Sequence, residues 1–167
     1  MVKFETSVGG VIFKRNGEIK FLLVKVRDQK PDGVIKEWWE FPKGIKEHGE
    51  RDLATLKREI QEETNLKDIL VHSFIGETKY WFKDSETKET VKKTVRYYLV
   101  EYLSGDVRIS WEHADYTWAT FEEAMNLLKY KNHKDILKKA YAEIQKLQSE
   151  SKQKTLEDFI MNKKNKA

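Results

Sequence analysis

The stretch G-I-K-E-H-G-E-R-D-L-A-T-L-K-R-E-I-Q-E-E-T-N-L, residues Gly44 to Leu66, decides how this chain is read. A glycine-containing loop feeds a predicted helix over roughly Glu50 to Thr64, and that helix carries Glu59, Glu62 and Glu63. At about 100° per residue, the three carboxylates span roughly 100° of the helix surface. Leu53, Leu56 and Ile60 fall on an adjoining stripe, which the spacing assigns to a face packed on a sheet. The acidic strip then lies at the edge of the buried face, where a cleft can form. Glu59 stands at i−3 from Glu62 and i−4 from Glu63, offsets at which like charges cost a helix a few tenths of a kcal/mol per pair. A hard divalent cation relieves that repulsion, because Mg²⁺ and Mn²⁺ favour carboxylate oxygens and keep several of their waters. A solvated acidic face is the ordinary reading of a Glu-rich helix. The spacing decides against it here.

Written as a pattern, the stretch is G-x5-E-x7-R-E-U-x-E-E-x-x-U with U aliphatic, filled by Gly44, Glu50, Arg58, Glu59, Ile60, Glu62, Glu63 and Leu66. It resembles the signature of the Nudix hydrolases, which cleave nucleoside diphosphates linked to another moiety. The family usually has glycine where this chain has Asn65, and asparagine is the next best residue for a left-handed helix end. The resemblance implies that Glu59, Glu62 and Glu63 ligate Mg²⁺ or Mn²⁺, with the backbone carbonyl of Gly44 as a further donor. It implies that Glu59 is the first choice to activate water, with family members differing in the base, that Arg58 holds the carboxylates by ion pairing, and that Glu50 stands behind the ligands as a supporting partner. Lys43 and Lys46 flank the loop and are candidates to meet phosphates.

A second stretch bears on the substrate. Ser110-Trp111-Glu112-His113-Ala114-Asp115-Tyr116-Thr117-Trp118 resembles the S-x-E-H-x-x-Y-x-W segment of the asymmetric diadenosine tetraphosphate hydrolases, a Nudix subfamily. Lys93 to Leu99 resembles that subfamily's K-T-V-x-Y-aromatic-L strand, and the likeness runs from about Val8 to Lys129. It implies Glu112 as another metal ligand or base, Tyr80 as a platform for adenine, and Lys93 as a phosphate contact. His113 is read as a hydrogen-bonded loop residue, not a ligand. Ile45 stands where the subfamily often has histidine.

The rest of the chain supplies the frame. Phe4 to Arg15 and Glu18 to Arg27 read as strands joined at Asn16-Gly17, a type I′ hairpin signal. Gly9-Gly10 marks either a bulge or close approach by a ligand or strand. Leu70 to Thr78, Val91 to Leu103 and Val107 to Ile109 read as strands, with Lys79 to Thr90 as a polar, mobile connection. Phe121 to Lys129 and His133 to Gln148 read as helices. This order predicts an α+β fold with a mixed sheet covered on both faces, in line with the α/β/α sandwich that the Nudix resemblance implies.

The chain has 167 residues, no cysteine, 36% charged residues and a net charge of +4. Disulfides and thiolate chemistry are excluded. The basic balance suits anionic ligands, but no long interleaving of basic and aromatic residues argues for direct nucleic-acid binding. No run reaches the ~20 apolar residues of a membrane span, so the expected compartment is the cytoplasm. Domain boundaries are placed at 1–148 for the catalytic unit and 149–167 for a flexible tail. Within the tail, Gln153-Lys154-Thr155-Leu156-Glu157-Asp158-Phe159-Ile160 resembles the peptide that binds DNA sliding clamps. Such a peptide inserts Leu156, Phe159 and Ile160 as a 3₁₀ turn with Gln153 in a polar pocket. The alternative is an added helical turn. The functional expectation is metal-dependent hydrolysis of diadenosine tetraphosphate to ATP and AMP. The competing readings are a MutT-type hydrolase of oxidised nucleoside triphosphates and a non-catalytic nucleotide-binding adaptor.

Overall fold

The computed structural model describes residues 1–166. The strands are β1 (Val2–Lys14), β2 (Lys20–Gln29), β3 (Ile35–Glu40), β4 (Lys43–Ile45), β5 (Asp68–Lys83), β6 (Thr90–Ser104) and β7 (His113–Thr120). The helices are α1 (Asp52–Thr64), α2 (Phe121–Leu127) and α3 (Lys131–Asn165). The seven strands form one mixed sheet in the order β3-β2-β1-β6-β5, with β4 paired to β1 and β7 paired to β2. β1 and β6 run parallel, and the other pairings are antiparallel.

Period-two alternation along the central strands builds two cores. Val8 and Ile12 of β1 and Leu22 of β2 point to the face covered by α1, where they meet Leu56 and Ile60. Val11 and Phe13 of β1 and Phe21 and Leu23 of β2 point to the opposite face, under Ala124 of α2 and Ile136, Leu137, Ala140 and Ile144 of α3. The sheet is therefore covered on both sides, as the element order predicts. Gly9 and Gly10 provide the closeness this requires. A Cβ on Gly10 would stand 3.0 Å from Ile60 Cδ1, and one on Gly9 would stand 2.8 Å from Tyr97 Cε1. Leu53 departs from the predicted stripe and is exposed; Thr55 is the buried neighbour instead, hydrogen-bonded to Glu50.

Three local differences have physical causes. The β1–β2 pairing closes at Lys14↔Lys20, and Asn16 does not take a positive φ, so the connection is longer than a two-residue I′ turn. Arg15 is drawn out of register to Glu101, and Ile19 packs on the core. Lys79 to Lys83 continue β5 in register with β6, and only the turn at Asp84 is non-strand; its carboxylate accepts from the Glu86 and Thr87 amides. Val107 to Ile109 form no strand; the Arg108 and Ser110 amides donate to the Thr64 and Glu63 carbonyls at the end of α1.

The predicted flexible tail is helical. α3 continues through residues 149–165 because nothing between Lys131 and Asn165 is glycine or proline, and Lys, Glu, Gln and Leu all favour helix. Ala167 lies outside the described residues. Gln153 to Ile160 is thus α-helical and not a 3₁₀ turn; Gln153 donates to Glu157, and Leu156, Phe159 and Ile160 are exposed. Among the described residues no helix is long and apolar enough to cross a membrane.

Candidate active site

Strand β4 and helix α1 place the signature residues. β4 pairs with β1 through Ser7↔Ile45, Val8↔Gly44 and Gly9↔Lys43, which lays the Gly44 backbone alongside the start of the sheet. α1 then crosses above it, with Leu56 and Ile60 buried, and turns Glu59 and Glu63 inward. The Glu59 carboxylate rests directly on Gly44, in the space that a Cβ at that position would occupy. Glycine is needed there because of that close approach, and not because of a left-handed backbone. α1 ends at Asn65 in the left-handed conformation, φ 68°, with its amide donating to the Gln61 carbonyl. The substitution of asparagine for the family's usual glycine leaves the cap intact.

Arg58 organises the carboxylates. Its Nε and Nη2 donate to the two oxygens of Glu50, each at 2.9 Å. Nη2 also donates to the Ile45 carbonyl at 3.0 Å, and Nη1 donates to Glu59 Oε1 at 2.7 Å. Glu62 lies at 3.4 Å from the same Nη1 but stays largely in solvent. The Arg58 guanidinium, with the Glu47 amide, holds Glu50 down to about 2. Glu63 is buried and accepts from the Lys43 amide at 3.0 Å. Burial pushes its carboxyl up to about 8, with Glu40 and Glu59 adding to the rise against the hydrogen bond from Lys43. Burial also raises Glu59, against the opposing pull of Arg58.

A cleft of about 620 Å³ brings Glu59, Glu62, Glu63, Gly44, Lys43 and Lys93 together with Glu112 from the turn before β7 and His113 at its start. Lys46 is not brought to it: its Nζ bonds Asp52 at 2.9 Å. His113 lies beside Glu63 (Nε2 to Oε2, 4.0 Å) and beside Ser110 Oγ, and its burial lowers its proton affinity. Burial likewise lowers that of Lys93. Trp111 is almost wholly exposed at the cleft's rim.

The donor set fits a hard cation, since it consists of carboxylate oxygens with a glycine backbone pressed against one of them. Among the described residues no three of these side chains converge to ligand distance. Arg58 donates to Glu59 Oε1 and lies 3.4 Å from Glu62 Oε2. Glu59, Glu62, Glu63 and Glu112 are the residues that could hold such an ion.

A second cavity, of about 500 Å³, opens beside the first and is walled by Trp38, Thr78, Tyr80, Tyr97, Tyr130 and His133. Val26, Glu40 and Lys43 line both. Sequence reasoning found Tyr80 but missed its companions. Tyr130 and His133 come from the start of α3, far along the chain, and only the packing of α3 across β5 and β6 brings them near. Glu40 was also missed, as was Asp52, which accepts from Lys46, Arg96 (2.6 Å) and the Tyr98 hydroxyl (2.7 Å). Arg96 and Tyr98 alternate on β6, a period-two signal that marks one face without naming the partner.

An acidic helix edge lies over the glycine of β4 beside an aromatic cavity, and the family and relatives that match the chain make it a pyrophosphohydrolase of nucleoside polyphosphates. The chain belongs to the Nudix family: the NUDIX domain profile matches residues 3–141. It is 33% identical over 147 residues to the asymmetrical bis(5′-nucleosyl)-tetraphosphatase of Mus musculus, covering 81% of this chain and 92% of that one. Against the Sus scrofa protein of the same name it is 35% identical over 149 residues, with the same coverage. It is also 30% identical over 152 residues to the putative mutator protein MutT4 of Mycobacterium tuberculosis, covering 87% of this chain and 58% of that one. Among solved structures, the C. elegans Ap4A hydrolase binary complex superposes with a TM-score of 0.66 at 26% identity, covering 84% of this chain and 97% of that one.

Proposed function

We propose that this enzyme hydrolyses dinucleoside polyphosphates asymmetrically, splitting diadenosine tetraphosphate into ATP and AMP. The observation that carries the proposal is the pair of adjoining cavities, one aromatic and one acidic, with a common wall. A base flanked by Tyr80 and Tyr130 leaves its phosphates directed into the carboxylate cleft. The relatives named as asymmetrical tetraphosphatases support the same substrate class.

The reaction is in-line attack of water on phosphorus, with charge building on the phosphoryl oxygens. A divalent cation, when bound by Glu59, Glu62, Glu63 and Glu112, supplies charge neutralisation and lowers the pKa of bound water. Lys43 and Lys93 add fixed positive charge along the polyphosphate. Glu59 takes the proton of the attacking water, held in place by Arg58, which is braced in turn by Glu50. Glu63 is positioned by the Lys43 amide.

The MutT-type reading has its own support in the mycobacterial relative. A substrate panel with Mg²⁺ separates the two. Diadenosine tetraphosphate should exceed oxidised dGTP in kcat/KM, with ATP and AMP as the products; the reverse preference would replace the first reading with the second. Glu62→Gln should lower turnover, whereas wild-type protein that binds the dinucleotide without hydrolysing it would favour a non-catalytic adaptor. For the helix end, the exposed trio Leu156, Phe159 and Ile160 lies at i, i+3 and i+4 on one face. We assign it to a sliding clamp, which would unwind that turn to bind it. Loss of clamp pull-down on Phe159→Ala is the expected result, and equal capture by both forms ends the assignment.

A further inference from the structure

We propose that Glu40 is the ribose-reading residue of this site, accepting the hydroxyls of the nucleotide held by the aromatic cavity and thereby selecting ribonucleotides over 2′-deoxyribonucleotides. The inference rests on the substrate reading above. It begins from the wall common to the two cavities, formed by Val26, Glu40 and Lys43. A nucleotide with its base in one cavity and its phosphates in the other has its sugar at that wall. Lys43 suits the phosphates and Val26 is indifferent. Glu40 alone among the three carries side-chain acceptors for a sugar hydroxyl.

The Glu40 side chain is 12% exposed and faces the place where polyphosphate passes. One of its oxygens, Oε2, accepts from Trp38 Nε1 at 3.0 Å. The other, Oε1, stands 3.7 Å from Lys43 Nζ, beyond direct hydrogen-bond length. Oε1 is ion-paired with Lys43 yet keeps lone pairs open to a donor from the ligand. Phosphates offer none, whereas a ribose offers two adjacent hydroxyls, and a 5′,5′-linked polyphosphate leaves both free. The Trp38 bond fixes the carboxylate's orientation, so a sugar lacking the 2′-hydroxyl leaves Oε1 less satisfied. Glu40 belongs to β3 and not to the α1 carboxylates, although its charge acts on Glu63 across the cleft.

The test compares kcat and KM for diadenosine tetraphosphate and its bis(2′-deoxy) analogue, with binding of AMP and 2′-deoxy-AMP by calorimetry. Wild type should prefer the ribose form by about 10- to 100-fold, expressed in KM and in Kd. Glu40→Ala should bring the ratio close to one, and Glu40→Gln, which keeps an acceptor oxygen and the Trp38 bond, should retain part of it. A purely structural role would weaken both substrates alike and leave the ratio unchanged. That outcome, equal handling of the two sugars by wild type, or a change confined to base preference would overturn the inference. If Glu40→Ala fails to fold, the wild-type ratio and the Glu40→Gln variant decide. Should wild type cleave no dinucleotide, the substrate reading fails by itself. The sugar ratio is then read on AMP binding and on whichever nucleoside triphosphate is hydrolysed.

Discussion

Gly44→Ala isolates the contact on which the acidic cleft is built. The added methyl would overlap the Glu59 carboxyl group, while the backbone at residue 44 is in a region open to any residue. The obstruction is the end of a flexible side chain, so the fold can absorb it by moving Glu59 to another rotamer. Glu59 then gives up its 2.7 Å bond from Arg58 Nη1, a charge-assisted contact worth ~1.5–3 kcal/mol. Part of that is recovered by solvation, and Arg58 keeps both bonds to Glu50. Stability should therefore fall by about 1 kcal/mol, a shift in Tm of a few degrees. Turnover should fall much further, since a displacement of ~1 Å at a reacting group costs about 100-fold. The assay pairs differential scanning fluorimetry with steady-state hydrolysis of diadenosine tetraphosphate. Wild-type kcat in a folded Gly44→Ala variant would refute the idea that Glu59 works from its place against Gly44.

Tyr80→Ala should raise KM by about 10- to 100-fold with kcat nearly unchanged, because base stacking on an aromatic ring is worth ~1–3 kcal/mol; Tyr80→Phe should stay near wild type. Arg58→Lys should cost about 1–3 kcal/mol in urea denaturation, since an ammonium cannot replace the paired bonds to Glu50. Acid stability should follow the depressed carboxyls. The Arg96, Tyr98 and Lys46 bonds hold Asp52 well below the usual carboxylate range despite the opposing effect of burial, and Glu50 titrates at about 2. Their stabilisation is complete above the unfolded values near ~4 and is lost as pH falls from there through about 2. Asp52→Asn should flatten circular-dichroism acid titrations over that interval, and a curve identical to wild type would remove Asp52 from the account.

Much of this molecule can be read from residue spacing, and the reasons it stops are local. The α1 carboxylates are legible because a 3.6-residue period and fixed offsets are properties of one segment. The two-faced sheet is legible because β1 and β2 alternate cleanly. Leu53 misleads because an aliphatic residue at the edge of a stripe carries no sign of which way the helix is rotated; Gly10 and Thr55 set that rotation. The aromatic cavity stays hidden because Tyr130 and His133 meet Tyr80 only through tertiary packing. Polarity between Lys79 and Thr90 reads as a loop, yet cross-strand pairing with Val91 to Thr94 outweighs it. At the chain's end, a polar composition signals exposure correctly but says nothing against helix.

The proposed chemistry requires Glu59, Glu62, Glu63 and Glu112 to bind a divalent cation without which hydrolysis stops. Initial rates on diadenosine tetraphosphate, measured across free Mg²⁺ concentrations set by a chelator, address it directly. Activity should fall to the uncatalysed background as Mg²⁺ is withdrawn and return on adding Mg²⁺ or Mn²⁺, with ATP and AMP in equal amounts. Turnover that persists at full strength in excess chelator would contradict it.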